Sequence, residues 1–266
     1  MKNIALVLDL DNTLYCWMDS YASGLDAQIT YIAKKTGITK KCITENFKSV
    51  FYKHGSVEVV GAVNELDVWN QTNFSCDEIE NIKKQSTELF FKIFADNLML
   101  FPTVLETLEW AKKNDILLFA FSDGRAYWID FRLEHLNIEN YFEKIYVMED
   151  EVTDEGKKIC CEQMITLPAS KIKPSTFILE EIMKEYNITK DNIYVVGDSK
   201  NKDIRTAKLA GVNNIWAQYG MNYSQKSRRL LSSITPWTRS QRVGGHCIVP
   251  QYTIACFSEI RDIIKL

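Results

Sequence analysis

Long apolar runs are missing from this 266-residue sequence: no stretch approaches the roughly 20 apolar residues that a helix needs to cross a bilayer, so no membrane partner is expected. Zinc-type spacing is missing as well. His54, His135 and His246 lie far apart, and the seven cysteines (Cys16, Cys42, Cys76, Cys160, Cys161, Cys247 and Cys256) include no CxxC pair. Their odd number and scatter, in a chain long enough to form a core without disulfide staples, predict reduced thiols and a cytoplasmic setting. The short apolar run after Lys2 is ended by Asp9, so a secretory signal peptide is not expected. Internal repeats and low-complexity segments are absent, and neither sign of charge is in large excess. The net charge of -3 speaks against a general nucleic-acid binder. What remains is an ordinary globular composition, 46% apolar and 25% charged. The length suits one large domain, or a core carrying a smaller inserted one.

The most informative stretch is Ile4 to Tyr15, IALVLDLDNTLY. An unbroken apolar run, Ile4 to Leu8, predicts a strand buried on both faces. It stops at Asp9, and Asp11 follows two residues later. In an open α/β sheet, ligands bind outside the carboxyl ends of strands, which is where both acids would fall. Two adjacent carboxylates repel, so such a pair needs a cation, a shared proton or two chemical roles.

With Thr13 completing it, this segment resembles the first motif of the haloacid dehalogenase superfamily, Asp-x-Asp-x-Thr. The resemblance requires three further motifs in order, each at a strand end. Ile116 to Phe121 is a second apolar run, ending on Ser122-Asp123-Gly124, a turn suited to phosphate oxygens. Lys173-Pro174 precedes a helix predicted near Ser175, with Lys171 as a nearby competitor for the same role. Ile193 to Gly197 is a third strand, followed by Asp198-Ser199 and by Asp203.

The resemblance implies an α/β fold: a Rossmann-like doubly wound parallel sheet with an inserted α-helical cap domain. The core would comprise residues 1–16 and 100–266, and the cap residues 17–99. Helical stripes fill that segment, at Ile43, Phe47, Val50 and Phe51 and at Ile79, Ile82, Leu89, Phe90, Ile93 and Phe94. Ser75 and Glu78 read as a capping box, and Asp19 to Lys35 as a helix ended by Gly37. Tyr52-Lys53-His54-Gly55 and Gly61, expected in an interhelical loop, add a weaker resemblance to pyrimidine nucleotidases. Trp69 and Phe74 are candidates to stack on a base.

By the same resemblance Asp9 is the nucleophile and Asp11 the acid and base toward the leaving group. Ser122, Asp123 and Lys173 hold the phosphoryl group. Asp9, Asp198 and Asp11, the last through its main-chain carbonyl, hold Mg²⁺, with Asp203 a metal-side or orienting acid. The implied activity is a phosphatase acting on a small phosphorylated metabolite. A dehalogenase, a phosphotransferase or mutase, and a phospho-aspartate switch remain as alternatives. Glu149 to Glu155 reads as a solvated acidic loop, Gly220 to Gly245 as a polar, basic excursion, and Tyr252 to Cys256 as an edge strand.

Overall fold

Ala5, Leu6, Val7 and Leu8 are all buried, and backbone pairing on both sides makes them the central strand β1 (Ala5–Leu8) of a parallel sheet. A computed structural model describes residues 3–150, 159–236 and 247–264 of the chain. The remaining strands are β2 (Leu117–Arg125), β3 (Lys144–Met148), β4 (Met164–Leu167), β5 (Ile193–Gly197), β6 (Asn213–Ala217) and β7 (Tyr252–Ile254). They lie in the order β4-β3-β2-β1-β5-β6-β7, each pair parallel. The chain builds outward from β1 through β2, β3 and β4. It then crosses back to β5 and continues to β6 and β7. That reversal makes the carboxyl end of β1 a topological switch point, the usual ligand position in such sheets.

Contacts divide the described chain into two units. The first holds the sheet, with the chain up to Cys16, from Met99 to Asn222 and from residue 247 onward. The second holds Trp17–Leu98 and the described residues from Tyr223 to 236. The insertion leaves and re-enters the sheet unit at one place. Tyr15 bridges Leu100, and Phe101 N–H donates to the Leu14 carbonyl at 2.8 Å. A segment whose ends already meet adds little loop-closure entropy to the host.

In the helical unit, α1 (Trp17–Thr36) stops at Gly37, whose φ of 73° suits a residue without a Cβ. The unit continues with α2 (Lys40–His54) and α3 (Cys76–Asn97). Both halves of the Ser75–Glu78 capping box are formed. Helices α1 and α3 pack through an aromatic cluster in which Tyr21 stacks on Trp17 at 5.1 Å and meets the Phe90 edge at 5.4 Å. Tyr52, Lys53 and His54 form the last turn of α2 rather than a loop, and Glu65 binds Lys53 at 2.6 Å and His54 at 2.8 Å. Trp69 is buried and its indole N–H donates to the Val63 carbonyl at 2.7 Å, so it is a packing residue and not a stacking platform.

Returning to the sheet unit, α4 (Val104–Lys113), α5 (Ala126–Leu136), α6 (Phe177–Glu185) and α7 (Arg205–Ala210) connect the strands. On one sheet face, Val7, Phe119, Phe121 and Val195 pack with Ile178, Ile182 and Ala207.

Three expectations are corrected. First, no strand is expected between the acidic loop and Lys173, yet Met164–Leu167 pairs with β3 as an edge strand too short to show a period. Glu151, Asp154 and Glu155 of the acidic segment fall outside the described residues. Second, the stretch from Gly220 contains α8 (Gln225–Ile234), which packs on α1 and α2 and so groups with the helical unit rather than with the sheet. Its buried Ser227, Leu231 and Ile234 face that unit, and Lys226 pairs with Asp26 at 2.6 Å. Arg239 and Arg242 of the same stretch lie outside the described residues. Third, Ser122-Asp123-Gly124 is not a turn: β2 runs through it to Arg125, with a register shift against β3 between Phe121 and Arg125.

Candidate active site

Two strand ends, those of β1 and β5, deliver the three clustered acids. Asp9 leaves the end of β1, its N–H donating to the Val196 carbonyl of β5 at 2.9 Å. Asp198 follows the end of β5, and Asp203 sits on a π-helical turn, Lys200–Ile204, just beyond it. Ligand oxygens from Asp9, Asp198 and Asp203 lie within 4.8 Å of one another. Lys173 reaches between two of them, its Nζ 2.6 Å from Asp9 Oδ1 and 2.6 Å from Asp203 Oδ1. Its competitor Lys171 instead lies over the Phe177 ring, Nζ 3.8 Å from the ring centroid.

Thr13 locks the loop after β1. Its hydroxyl donates to Asp9 Oδ2 at 3.0 Å and accepts from Asp198 N–H at 3.1 Å, while its carbonyl accepts from the Tyr219 hydroxyl at 2.6 Å. Asn12 turns the chain in the left-handed region at φ 60°. Gly197 ends β5 where a Cβ would lie 2.2 Å from Asp203 Cγ, so only glycine lets that carboxylate fold back against the strand. Asp203 Oδ2 then accepts from Ser199 N–H at 2.9 Å.

Asp11 points elsewhere. Both its oxygens accept from Arg132 Nη1 at 2.9 Å, and Arg132 is fully buried on α5. The Asp11 carboxylate is therefore not among the clustered metal-type oxygens, and only its main chain is left for the metal role that the sequence resemblance implies. Ser122 is buried, with its hydroxyl accepting from Gly124 N–H at 3.0 Å. The Asp123 carboxylate accepts from Lys173 N–H at 3.2 Å and pairs with Lys202 at 2.7 Å. Its side chain organises two lysines, and a carboxylate itself repels phosphate.

Burial dominates the electrostatics. It raises Asp198 well above the ordinary carboxylate range, with Asp9 and Asp203 adding to the effect. It pushes Asp203 up to about 6, against the pull of Lys173. Asp11 is raised by burial and by Asp9, with Arg132 opposing. Burial alone would push the Lys173 ammonium down, but Asp203, Asp9 and Asp123 together hold its pKa well above the ordinary lysine value.

Five carboxylates (Asp9, Asp11, Asp123, Asp198, Asp203) thus face three cations (Arg132, Lys173, Lys202), an excess of two negative charges when all are ionised. Among the described residues no group hydrogen-bonds to the Asp198 carboxylate. An all-oxygen cluster with two surplus charges and an unsatisfied acid fits a hard divalent cation such as Mg²⁺.

The family model for haloacid dehalogenase-like hydrolases matches residues 5–211. The chain belongs to this family. Among its relatives, the phosphorylated carbohydrates phosphatase of Thermotoga maritima is 28% identical over 156 residues, covering 58% of this chain and 62% of that protein. The phosphoglycolate phosphatase of Vibrio parahaemolyticus is 26% identical over 155 residues, 57% of this chain and 60% of that one. The chain thus matches about 60% of the length of these relatives. A 2-haloacid dehalogenase from Pseudomonas syringae pv. tomato DC3000 shares the fold, with a TM-score of 0.60 at 18% identity over 99% of this chain and 98% of that one.

Within this haloacid dehalogenase-like site, the sequence reading missed Arg132, Lys202, Tyr219 and Gly220. For Arg132 a signal existed: a charge among Ile129, Leu133 and Leu136 on a helix that follows a strand-end motif. A charge is seldom fully buried unless it is paired. Tyr219 and Gly220 carry no local signal, because their role depends on β6 lying beside β5.

Proposed function

We propose that this protein is a Mg²⁺-dependent phosphatase that hydrolyses a small-molecule phosphomonoester through an aspartyl-phosphate. The observation that carries the reading is the Lys173 ammonium held between Asp9 and Asp203, with a second acid, Asp11, two residues from Asp9. Asp9 and Asp198, with Asp203 alongside and the Asp11 main-chain carbonyl, would hold Mg²⁺, which supplies charge neutralisation for a phosphoryl group.

In the first step Asp9 forms a bond to phosphorus as the bond to the leaving oxygen breaks, and Asp11 gives that oxygen a proton. In the second, a water oxygen attacks the phosphoryl group and gives a proton to Asp11. The bond from Asp9 to phosphorus breaks, phosphate departs and both carboxyl groups return to their starting state. Lys173 orients Asp9 and offsets the repulsion between it and an anionic substrate. Ser122 is the hydroxyl available to a phosphoryl oxygen. Asp11 favours phosphate esters over haloacids, since release of halide requires no acid.

Relatives named for phosphorylated carbohydrates and phosphoglycolate move sugar phosphates and phosphoglycolate-like acids ahead of nucleoside monophosphates. The burial of Trp69 points the same way, because it removes one base-stacking candidate. The test is phosphate release from a panel of sugar phosphates, 2-phosphoglycolate and nucleoside monophosphates, with and without Mg²⁺, beside the Asp9→Asn variant. Metal-dependent release that disappears in the variant is expected. No release from any ester, or halide release from 2-haloacids, would overturn the reading.

A further inference from the structure

The Asp11–Arg132 pair is asymmetric. Arg132 has 0% side-chain exposure, whereas Asp11 keeps 22%. The guanidinium therefore grips the carboxylate from the protein interior, with the Tyr15 side chain also beside it, and part of Asp11 remains exposed. One nitrogen, Nη1, reaches both oxygens at 2.9 Å, and each carboxylate oxygen has a second lone-pair direction. The grip thus fixes where the carboxylate faces without using up its capacity to exchange a proton.

The support for this guanidinium is rigid. Helix α5 begins at Ala126, directly after β2 ends at Arg125, and the neighbours Ile129 and Leu133 on the same helix are fully buried. A wholly buried arginine is costly unless paired, and an apolar residue at its position would pack against the sheet without that penalty. Asp11 itself is carried by a loop that turns at Asn12 through a positive φ, so its direction is not set by regular secondary structure.

We propose that Arg132 is a positioning residue for leaving-group chemistry, aiming the Asp11 carboxylate at the scissile ester oxygen. This rests on the reading of Asp11 as the acid toward the leaving group. Arg132 lies behind Asp11 and would act on the leaving group through that carboxylate rather than by touching substrate.

The test compares phenyl phosphate with p-nitrophenyl phosphate, a better leaving group that needs less proton transfer, in the full chain. The variants are Asp11→Asn, Arg132→Leu, Arg132→Lys and the double variant Asp11→Asn/Arg132→Leu. Arg132→Leu should lower kcat on phenyl phosphate by about 10²-fold, the scale of general acid catalysis, with a smaller fall on p-nitrophenyl phosphate and KM unchanged. Arg132→Lys should retain more activity, and the double variant should be no slower than Asp11→Asn. Equal losses on both esters in the Arg132 variants, or losses that add to that of Asp11→Asn, would overturn the proposal and leave the phosphatase reading intact. Should Arg132→Leu fail to fold, Arg132→Lys and the double variant, which removes both charges, carry the comparison. If Asp11→Asn itself slows both esters equally, the role given to Asp11 falls and the positioning role with it.

Discussion

Gly220 offers the sharpest test of how the site is built. It lies in the short turn Gln218–Met221 that follows β6, and a Cβ placed on it would sit 1.9 Å from the Asn12 carbonyl oxygen and 2.9 Å from Asp198 Cβ. Real Cβ contacts essentially never fall below 3.0 Å, so Gly220→Ala forces a separation of at least about 1.1 Å, from 1.9 to 3.0 Å. The first is a backbone atom and the second a Cβ held directly on its backbone, so neither can rotate away. The displaced loop carries Asp9 and Asp11, and Thr13 ties it to Asp9, Asp198 and Tyr219 at once. A misplacement of about 1 Å in a reacting group can lower the rate about 10²-fold. Overpacking of this kind costs roughly 1–3 kcal/mol of stability. In a domain of this size that lowers Tm by roughly 2–4 °C per kcal/mol. Gly220→Ala should therefore lose about two orders of magnitude in kcat on the best phosphomonoester while keeping a cooperative melt a few degrees lower. Parent-like kcat together with parent-like Tm would refute the claim that the turn after β6 sets the loop.

Two further outcomes follow from the charges. Lys173→Met leaves the buried Asp9 and Asp203 carboxylates without their shared cation, which should cost roughly 3–5 kcal/mol in chelator, read by denaturant unfolding, and should abolish phosphate release. An unchanged unfolding midpoint would mean that the ammonium is not their counter-charge. In the parent protein, Mg²⁺ at about 100 times its Kd should stabilise by about 2.7 kcal/mol in a thermal melt, and EDTA should remove both that gain and turnover. Asp198→Asn should lose the gain, and a full Mg²⁺ shift in that variant would place the cation elsewhere.

Much of the sheet was legible because parallel strands buried on both faces must be apolar throughout, and their ends are abrupt. Ile4 to Leu8, Ile116 to Phe121 and Ile193 to Gly197 stop within a residue or so of the acids or hydroxyl that the fold gathers there. Edge strands lack that signature. Met164–Leu167 has two exposed residues of its four, and nothing in its composition separates it from the loop before it. The partner of α8 was equally hidden. An amphipathic helix announces that one face will be covered but not by what, and the sequence position of α8, far from α1 and α2, suggested the sheet instead.

The same division runs through the site. Asp9, Asp198, Asp203 and Lys173 each follow a strand end or precede a helix, and the pairing of β1 with β5 brings those chain ends together. Asp11 is different: its position in the motif is local, but the direction of its carboxylate is decided by Arg132, 121 residues away in sequence. Asp123 shows the complementary error. A Ser-Asp-Gly turn would offer N–H groups to a phosphate, yet β2 continues through it and the carboxylate is committed to the Lys173 N–H and to Lys202. A motif therefore fixes which residues reach the switch point, whereas the tertiary neighbours fix what each can do there. Residues that act through a neighbour, Arg132 and Gly220 above all, become visible only when their contacts are.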